Sequence, residues 1–128
     1  MEKKKILLVD DEKALTYSIK LLLESYQFEV ETAHDGQAAL DISRRKKYDL
    51  IILDLMLPSL DGHKICRMLK FDVKYRHIPI IILTARYKKA DEDLSYEVGA
   101  DAFITKPFEL QTLINTVKKL LNIEAVHL

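Results

Sequence analysis

Five polar side chains in this sequence could together transfer a phosphoryl group, and each stands at or near the end of a short apolar run. They are Asp10, Asp11, Asp54, Thr84 and Lys106. Taken singly, any of the acids is an ordinary solvated loop charge or helix cap. Two carboxylates about 4 Å apart repel by roughly 4 kcal/mol at an effective dielectric near 20, so packing alone does not explain gathering three. If the fold brings them together, a cation is expected among them.

The charges and atom types of this set favour one divalent ion. Three carboxylates and one ammonium leave a net charge of −2, which a divalent cation balances. Hard oxygen ligands in this small number suit Mg²⁺, which keeps waters and takes phosphate oxygens, and Mn²⁺ could substitute. Lys106 can neutralise phosphoryl oxygens, and the Thr84 hydroxyl can donate a hydrogen bond to one of them.

The apolar patterns place these residues on a regular alternation of strands and helices. Strands are predicted at 5–9, 28–33, 50–53, 78–83 and 102–105, and helices at 12–25, 35–46, from 62 onward, at 90–98 and at 109–121. Five strands alternating with five helices predict a three-layer α/β sandwich around a parallel sheet. Ligands in such folds lie outside the carboxyl ends of the strands, where the five polar side chains stand.

Individual residues also predict where helices begin, end and pack. Asp35 is expected to cap the second helix, and Gly99 to end the fourth. The last helix carries one apolar stripe, formed by Leu110, Leu113, Ile114, Val117, Leu120 and Leu121. Cys66 is alone in the sequence and is interpreted as a small buried hydrophobe.

Length and composition exclude several classes of protein. The 128 residues suit one domain spanning 1–128, with 48% hydrophobic and 31% charged residues, as in a soluble globular protein. The formal net charge of zero gives no reason to expect direct nucleic-acid binding by this domain. The apolar runs are too short for a membrane span, and no signal peptide is recognisable, so a cytoplasmic location is expected.

Four segments together resemble the receiver domains of two-component response regulators. They are ILLVDDE at 6–12, DLIILDLMLPSLDG at 49–62, IIILTA at 80–85 and GADAFITKPF at 99–108. The resemblance covers essentially the whole chain, and its specificity comes from four segments in the right order. It implies the flavodoxin-like fold, with a five-stranded parallel sheet in the order 2-1-3-4-5 and five helices.

The resemblance also implies a role for each residue of the set. Asp54 would accept a phosphoryl group from a phosphohistidine of a sensor histidine kinase or phosphotransfer protein. Asp11 and Asp54 would bind Mg²⁺ directly with the backbone carbonyl of Met56, and Asp10 would act through water. Thr84 and Lys106 would bind the phosphoryl oxygens. Such a domain is a phosphoacceptor that catalyses its own phosphorylation and slow dephosphorylation, not an enzyme acting on another substrate.

Similar domains report phosphorylation through a change of surface. A shift of the Thr84 hydroxyl would let the aromatic ring of Phe103 turn inward. The simpler interpretation of Phe103 is a core-packing residue, and the family often has Tyr at this position. The output face would be the fourth helix, fifth strand and fifth helix, used by an output partner, by an effector domain missing from this chain, or by a homodimer. Pro107 would follow a cis peptide bond that aims Lys106 into the site.

Three other functions are found on folds of this kind. A flavodoxin-like electron carrier needs a hydroxyl- and glycine-rich phosphate loop after the first strand, where this chain has acids. An aspartate-nucleophile phosphatase would need a second Asp where Met56 stands. A phosphorylation-independent interaction module on the same fold stays open as the alternative.

Overall fold

The computed structural model describes residues 2–123, in which strands and helices alternate. The strands are β1 (Lys5–Val9), β2 (Glu29–Ala33), β3 (Leu50–Leu53), β4 (Ile80–Thr84) and β5 (Ala102–Thr105). The helices are α1 (Lys13–Ser25), α2 (Gly36–Arg45), α3 (Gly62–Lys70), α4 (Lys89–Glu97) and α5 (Leu110–Leu120). All strands pair in parallel in the order β2-β1-β3-β4-β5, so the predicted sheet and its strand order are confirmed.

The sheet is covered by helices on both faces because alternate side chains of its central strands point to opposite sides. On one face Ile6 and Leu8 of β1 join an apolar cluster with side chains of α1 and α5. On the other face Leu7 and Val9 join a cluster with side chains of α2 and α3. The central strands β3 and β4 are buried along their whole length. This explains their continuous apolar sequence.

Local signals fix where several helices begin and end. The Asp35 carboxylate accepts a hydrogen bond from the Ala38 amide at 2.8 Å, so its predicted role as the cap of α2 is confirmed. Asp61 caps α3 in the same way through the His63 amide at 2.7 Å. Gly99 follows α4 with a φ of 103°, a left-handed conformation that glycine adopts without steric strain.

Two details differ from the sequence prediction. Strand β4 begins at Ile80 instead of residue 78, and Pro79, which has no N–H to donate, contributes only its carbonyl to the Ile51 amide. Leu110 is 57% exposed, although its spacing put it on the buried stripe of α5. It is the first residue of α5 and lies beside Pro107 and Phe108, where its side chain stays uncovered.

Cys66 is buried on α3, as predicted, and its thiol donates to the Val98 carbonyl oxygen at 3.7 Å. Burial raises the pKa of the Cys66 thiol to about 12, so it is protonated at neutral pH. The residue therefore acts as packing and not as a nucleophile.

The start of α3 packs directly against the backbone that follows β3. A Cβ atom added at Gly62 would collide with the Asp54 carbonyl oxygen and would lie 2.7 Å from the Leu55 Cα atom. Both obstacles are backbone atoms that cannot rotate away. The absence of a side chain at Gly62 therefore lets α3 approach the segment that carries Asp54.

We expect Gly62→Ala to lower the free energy of unfolding by about 1–3 kcal/mol because the new methyl group overpacks this contact. A loss of stability would be informative because the preference of helices for alanine over glycine, at most about 1 kcal/mol, acts in the opposite direction. Urea unfolding of the variant and of Lys64→Ala, at an exposed position of the same helix, measures the effect. A Gly62→Ala protein as stable as the Lys64→Ala control would contradict the close approach.

Candidate active site

The carboxyl edge of the sheet carries the predicted residues, and main-chain hydrogen bonds fix three of them. The Asp10 amide donates to the Ala33 carbonyl at 3.1 Å, the Asp54 amide to the Val9 carbonyl at 3.0 Å, and the Lys106 amide to the Thr84 carbonyl at 2.8 Å. Each bond continues the parallel ladder one residue beyond its strand. The side chains therefore leave the sheet at nearly the same level.

Three acids meet at this edge. Asp10, Asp11 and Asp54 each offer a carboxylate oxygen, and these oxygens lie within 4.8 Å of one another. Asp10 and Asp54 are buried, whereas Asp11 is exposed. The structure thus brings together the acids that the sequence singled out. Close burial of like charges needs compensation by a cation.

Lys106 supplies one such cation from the other side of the cluster. Its Nζ atom lies 2.7 Å from Asp10 Oδ2, 3.1 Å from Asp54 Oδ2 and 3.1 Å from Glu12 Oε1. The lysine side chain is only 11% exposed. Every N–H of the ammonium therefore has a carboxylate acceptor.

The surroundings shift the pKa values of two of these groups. Burial raises the pKa of Asp10, and the hydrogen bonds from Lys106 and from the Glu12 amide only partly oppose this. Burial alone would lower the pKa of Lys106, but its hydrogen bonds to Asp10 and Asp54 outweigh burial and raise it. Lys106 is therefore a permanent positive charge in the site.

The oxygens of Asp54 already have a defined orientation. Oδ1 accepts a hydrogen bond from the Met56 amide at 3.1 Å, and Oδ2 accepts one from Lys106. Met56 is exposed and lines an open cleft together with Asp11 and Arg86. The Asp54 carboxylate is thus held in place, and the residues that follow it line an open cleft.

Thr84 and Phe103 lie on the neighbouring strands β4 and β5, where Thr84 pairs with Thr105 and Phe103 pairs with Ile82. Thr84 is fully buried at the last position of β4, and its hydroxyl oxygen accepts a hydrogen bond from the Arg86 amide at 3.3 Å. Phe103 on β5 is half-buried and packs against the cluster on the α2 and α3 face. This contact is compatible with plain packing, and the switching role of Phe103 stays a prediction.

The Lys106–Pro107 peptide bond is cis, the isomer that the resemblance implies. Pro107 itself is exposed, next to Phe108 and Leu110.

The donor set fits a hard divalent cation. Its ligand atoms are carboxylate oxygens, and the one ammonium present does not neutralise the acids around it. Asp11, which is exposed, leaves room for the water and phosphate ligands that Mg²⁺ retains. In Asp10 both oxygens already accept hydrogen bonds, from the Glu12 amide and from Lys106. Asp54 is hydrogen-bonded in the same way, so these bonds do not distinguish a direct metal ligand from an indirect one.

The fold and this edge cluster are those of the receiver class of signalling domains. Residues 6–118 match the response regulator receiver domain family, and the chain belongs to that family.

Individual relatives agree with this assignment. The response regulator ArlR of Staphylococcus aureus is 40% identical over 116 residues, which cover 91% of this chain and 52% of ArlR. The chain thus spans about half the length of the curated relatives it matches. The signal receiver domain of a signal transduction histidine kinase from Syntrophus aciditrophicus is 36% identical, with a TM-score of 0.87 over 98% of each chain.

A second solved structure bears on the metal. The receiver domain of a sensor histidine kinase from Pseudomonas aeruginosa is 30% identical, with a TM-score of 0.86 over 94% of this chain and 99% of that chain. That structure holds a magnesium ion coordinated in its active site cleft.

In the part of the present chain that is described, no helix has the length and apolar character needed to span a membrane.

Sequence reasoning missed Glu12 as a member of the site. The signal was available, because Glu12 directly follows Asp10 and Asp11 in one acidic run. Spacing did not reveal that its carboxylate would turn toward a lysine 94 positions away.

We expect Lys106→Met, studied without divalent ions, to lower the free energy of unfolding by about 1–3 kcal/mol at pH 7 because Asp10 loses its cation. The pKa of Asp10, already raised, rises further in the folded variant. A raised carboxylate pKa costs no stability below the unfolded-state value near 4, and the cost grows as the pH rises through the folded-state pKa. The difference from the wild type should therefore shrink toward pH 4.

Urea unfolding at several pH values measures this difference, with Lys13→Met as the control. Lys13 is an exposed residue at the start of α1, and its substitution makes the same change in net charge. A loss of stability in Lys106→Met that is equal at pH 4 and pH 7 would show that the lysine acts through packing of its stem and not through its charge.

Proposed function

We propose that this chain is a response-regulator receiver domain that accepts a phosphoryl group on Asp54 from a phosphohistidine of a histidine kinase or phosphotransfer protein. The observation that carries the proposal is the Lys106 ammonium, 3.1 Å from Asp54 Oδ2 inside a cluster of three carboxylates. A buried, oriented carboxylate beside a fixed cation and an open cleft suits attack on phosphorus. The family membership of the chain supports the same reading.

The transfer asks the protein for alignment and charge neutralisation more than for proton chemistry. An Asp54 oxygen forms a bond to phosphorus while the P–N bond of the phosphohistidine breaks. The imidazole leaves with the electron pair of that bond and takes up a proton. Asp54 attacks as a carboxylate nucleophile, which has no proton for a general base to remove. Lys106 and the Thr84 hydroxyl bind the phosphoryl oxygens as negative charge builds up.

Asp11, Asp54 and the Met56 backbone carbonyl would hold Mg²⁺, with Asp10 acting through a bound water. When bound, the ion neutralises the charge of the acids and of the phosphoryl oxygens. Asp10 is held by the Glu12 amide and by Lys106, and its indirect role is the one that the family resemblance implies. Mn²⁺ has similar ligand preferences and would replace Mg²⁺.

Phosphorylation would then switch the surface formed by α4, β5 and α5. The Thr84 hydroxyl would leave the Arg86 amide for a phosphoryl oxygen, and Phe103 would move into the vacated space. Exposed apolar side chains on and before α4 would give a partner an apolar surface to contact. Among them are Tyr87, Leu94 and Tyr96. That partner is a separate output protein, an effector domain in another segment as the greater length of ArlR suggests, or a second copy of this chain.

We expect the protein to be phosphorylated once by acetyl phosphate in the presence of Mg²⁺, giving a mass increase of one phosphoryl group. Asp54→Ala should abolish the reaction because the nucleophile is lost, and a chelator should abolish it in the wild type because the charge of the site is no longer balanced. Intact-protein mass spectrometry measures both results.

The matched control is Asp93→Ala, which removes an exposed acid of α4 that bonds only to Lys89 among the described residues. It should be phosphorylated like the wild type. Modification of Asp54→Ala at the wild-type rate would place the phosphoryl group elsewhere and refute the proposal.

We expect Thr84→Val to be phosphorylated on Asp54 yet to respond weakly at α4, β5 and α5. Valine matches threonine in shape but lacks the hydroxyl, and loss of one hydrogen bond reduces the switched population by about two- to ten-fold. Amide chemical shifts in these elements, recorded with and without phosphorylation, measure the response. Thr84→Ser, which keeps the hydroxyl, should respond like the wild type, whereas a full response in Thr84→Val would exclude the hydroxyl as the coupling group.

A further inference from the structure

Glu12 has a side chain that serves the site instead of its own helix. It precedes the first residue of α1, where a side chain normally accepts hydrogen bonds from the free amides of the first turn, but the Glu12 side chain makes no capping bond. Its carboxylate instead lies 3.1 Å from Lys106 Nζ.

The backbone of Glu12 is anchored at the site by three hydrogen bonds. Its amide donates to Asp10 Oδ1 at 2.9 Å, and its carbonyl accepts from the amide and hydroxyl of Thr16 at 2.9 and 2.8 Å. The side chain itself is 63% exposed. Glu12 therefore has a firmly placed backbone and a carboxylate that water can reach.

The donors of Lys106 are fully used before any phosphoryl group arrives. An ammonium has three N–H bonds, and Asp10, Glu12 and Asp54 each accept one. Any phosphoryl oxygen bound by Lys106 must therefore replace one of these three acceptors.

Burial determines which acceptor gives way. Asp10 is 2% exposed, so losing its hydrogen bond would leave a desolvated charge with less compensation. Asp54 becomes part of an acyl phosphate, so its hydrogen bond from Lys106 passes to one phosphoryl oxygen, and a second phosphoryl oxygen can bind Lys106 only by replacing Asp10 or Glu12. Glu12 can exchange the ammonium for water at little cost because its carboxylate is already largely hydrated.

We propose that Glu12 is a positioning residue: it holds the Lys106 ammonium in the site before phosphoryl transfer and yields its hydrogen bond to a phosphoryl oxygen afterwards. The inference rests on the proposed function, since it concerns how the same lysine is shared between two states. It predicts that Glu12 opposes the phosphorylated state, both by competing for Lys106 and by repelling the phosphoryl charge.

The test is the affinity of the full chain for beryllofluoride, a phosphoryl analogue, at saturating Mg²⁺, followed by fluorine NMR. Removing a partly exposed ion pair changes binding by a small factor, so Glu12→Ala should bind beryllofluoride about two- to five-fold more tightly than the wild type. Glu12→Gln keeps a neutral acceptor of the same size and should fall between the two. A purely structural role in α1 would weaken binding instead.

Glu109→Gln is the matched control. Glu109 also precedes a helix without capping it, is exposed, lies three positions after Lys106, and makes no described hydrogen bond to that lysine. It should leave the affinity unchanged. Glu12 variants that bind no more tightly than Glu109→Gln would overturn the inference alone, whereas a wild type that binds no beryllofluoride, or an Asp54→Asn variant that still binds it, would overturn the proposed function.

Discussion

The interaction on which this site depends is the contact between the Lys106 ammonium and the acids that surround it. Asp10, Glu12 and Asp54 come from the segments after β1 and β3, and Lys106 from the segment after β5, at sequence separations of 96, 94 and 52 residues. The lysine thereby joins the ends of three strands. Because Asp10 and Asp54 are buried, their charges would oppose folding without a nearby cation.

The sheet imposes the geometry that makes this contact unavoidable. Parallel pairing sets Val9 beside Leu53, and Leu53 beside Ile82, so the residues that follow these strands emerge together. A shift of one residue would turn every side chain of a strand to the other face. The apolar clusters on both faces exclude such a shift. The core therefore fixes the positions of the charged residues, although it makes no use of their charge.

Because the apolar core sets the positions of the charged residues, much of the fold could be predicted from the apolar pattern alone. Buried strands have apolar sequences whatever their surroundings, and caps such as Asp35 and the turn at Gly99 depend on neighbours close in the chain. The strand order entered through the family resemblance and not through the apolar pattern. The acids could be expected to converge because they follow buried strands.

The errors have an equally physical origin. Helical periodicity assigns Leu110 to the buried stripe, but Leu110 is the first residue of α5 and is exposed, and periodicity does not encode which turn of a helix is covered. The role of Glu12 depends on a backbone held by hydrogen bonds to Asp10 and Thr16, and on the contact of its carboxylate with Lys106. Such tertiary choices leave no periodic trace in a single sequence. Functional sites are where local rules are expected to fail in this way.

The rigid core contrasts with helix α4, which is held by few buried side chains. This contrast indicates which element can move when the site changes. Within α4 only Ser95 is buried, and Lys88, which precedes the helix, makes no capping bond. The Ser95 hydroxyl donates to the Asp91 carbonyl at 2.8 Å, so in its contact with His63 Nε2 at 2.9 Å it is the acceptor. Elements with few buried contacts move at the lowest free-energy cost. Displacement of α4 is therefore the least costly response to a rearrangement at Thr84, because the central strands cannot move without disrupting both apolar clusters.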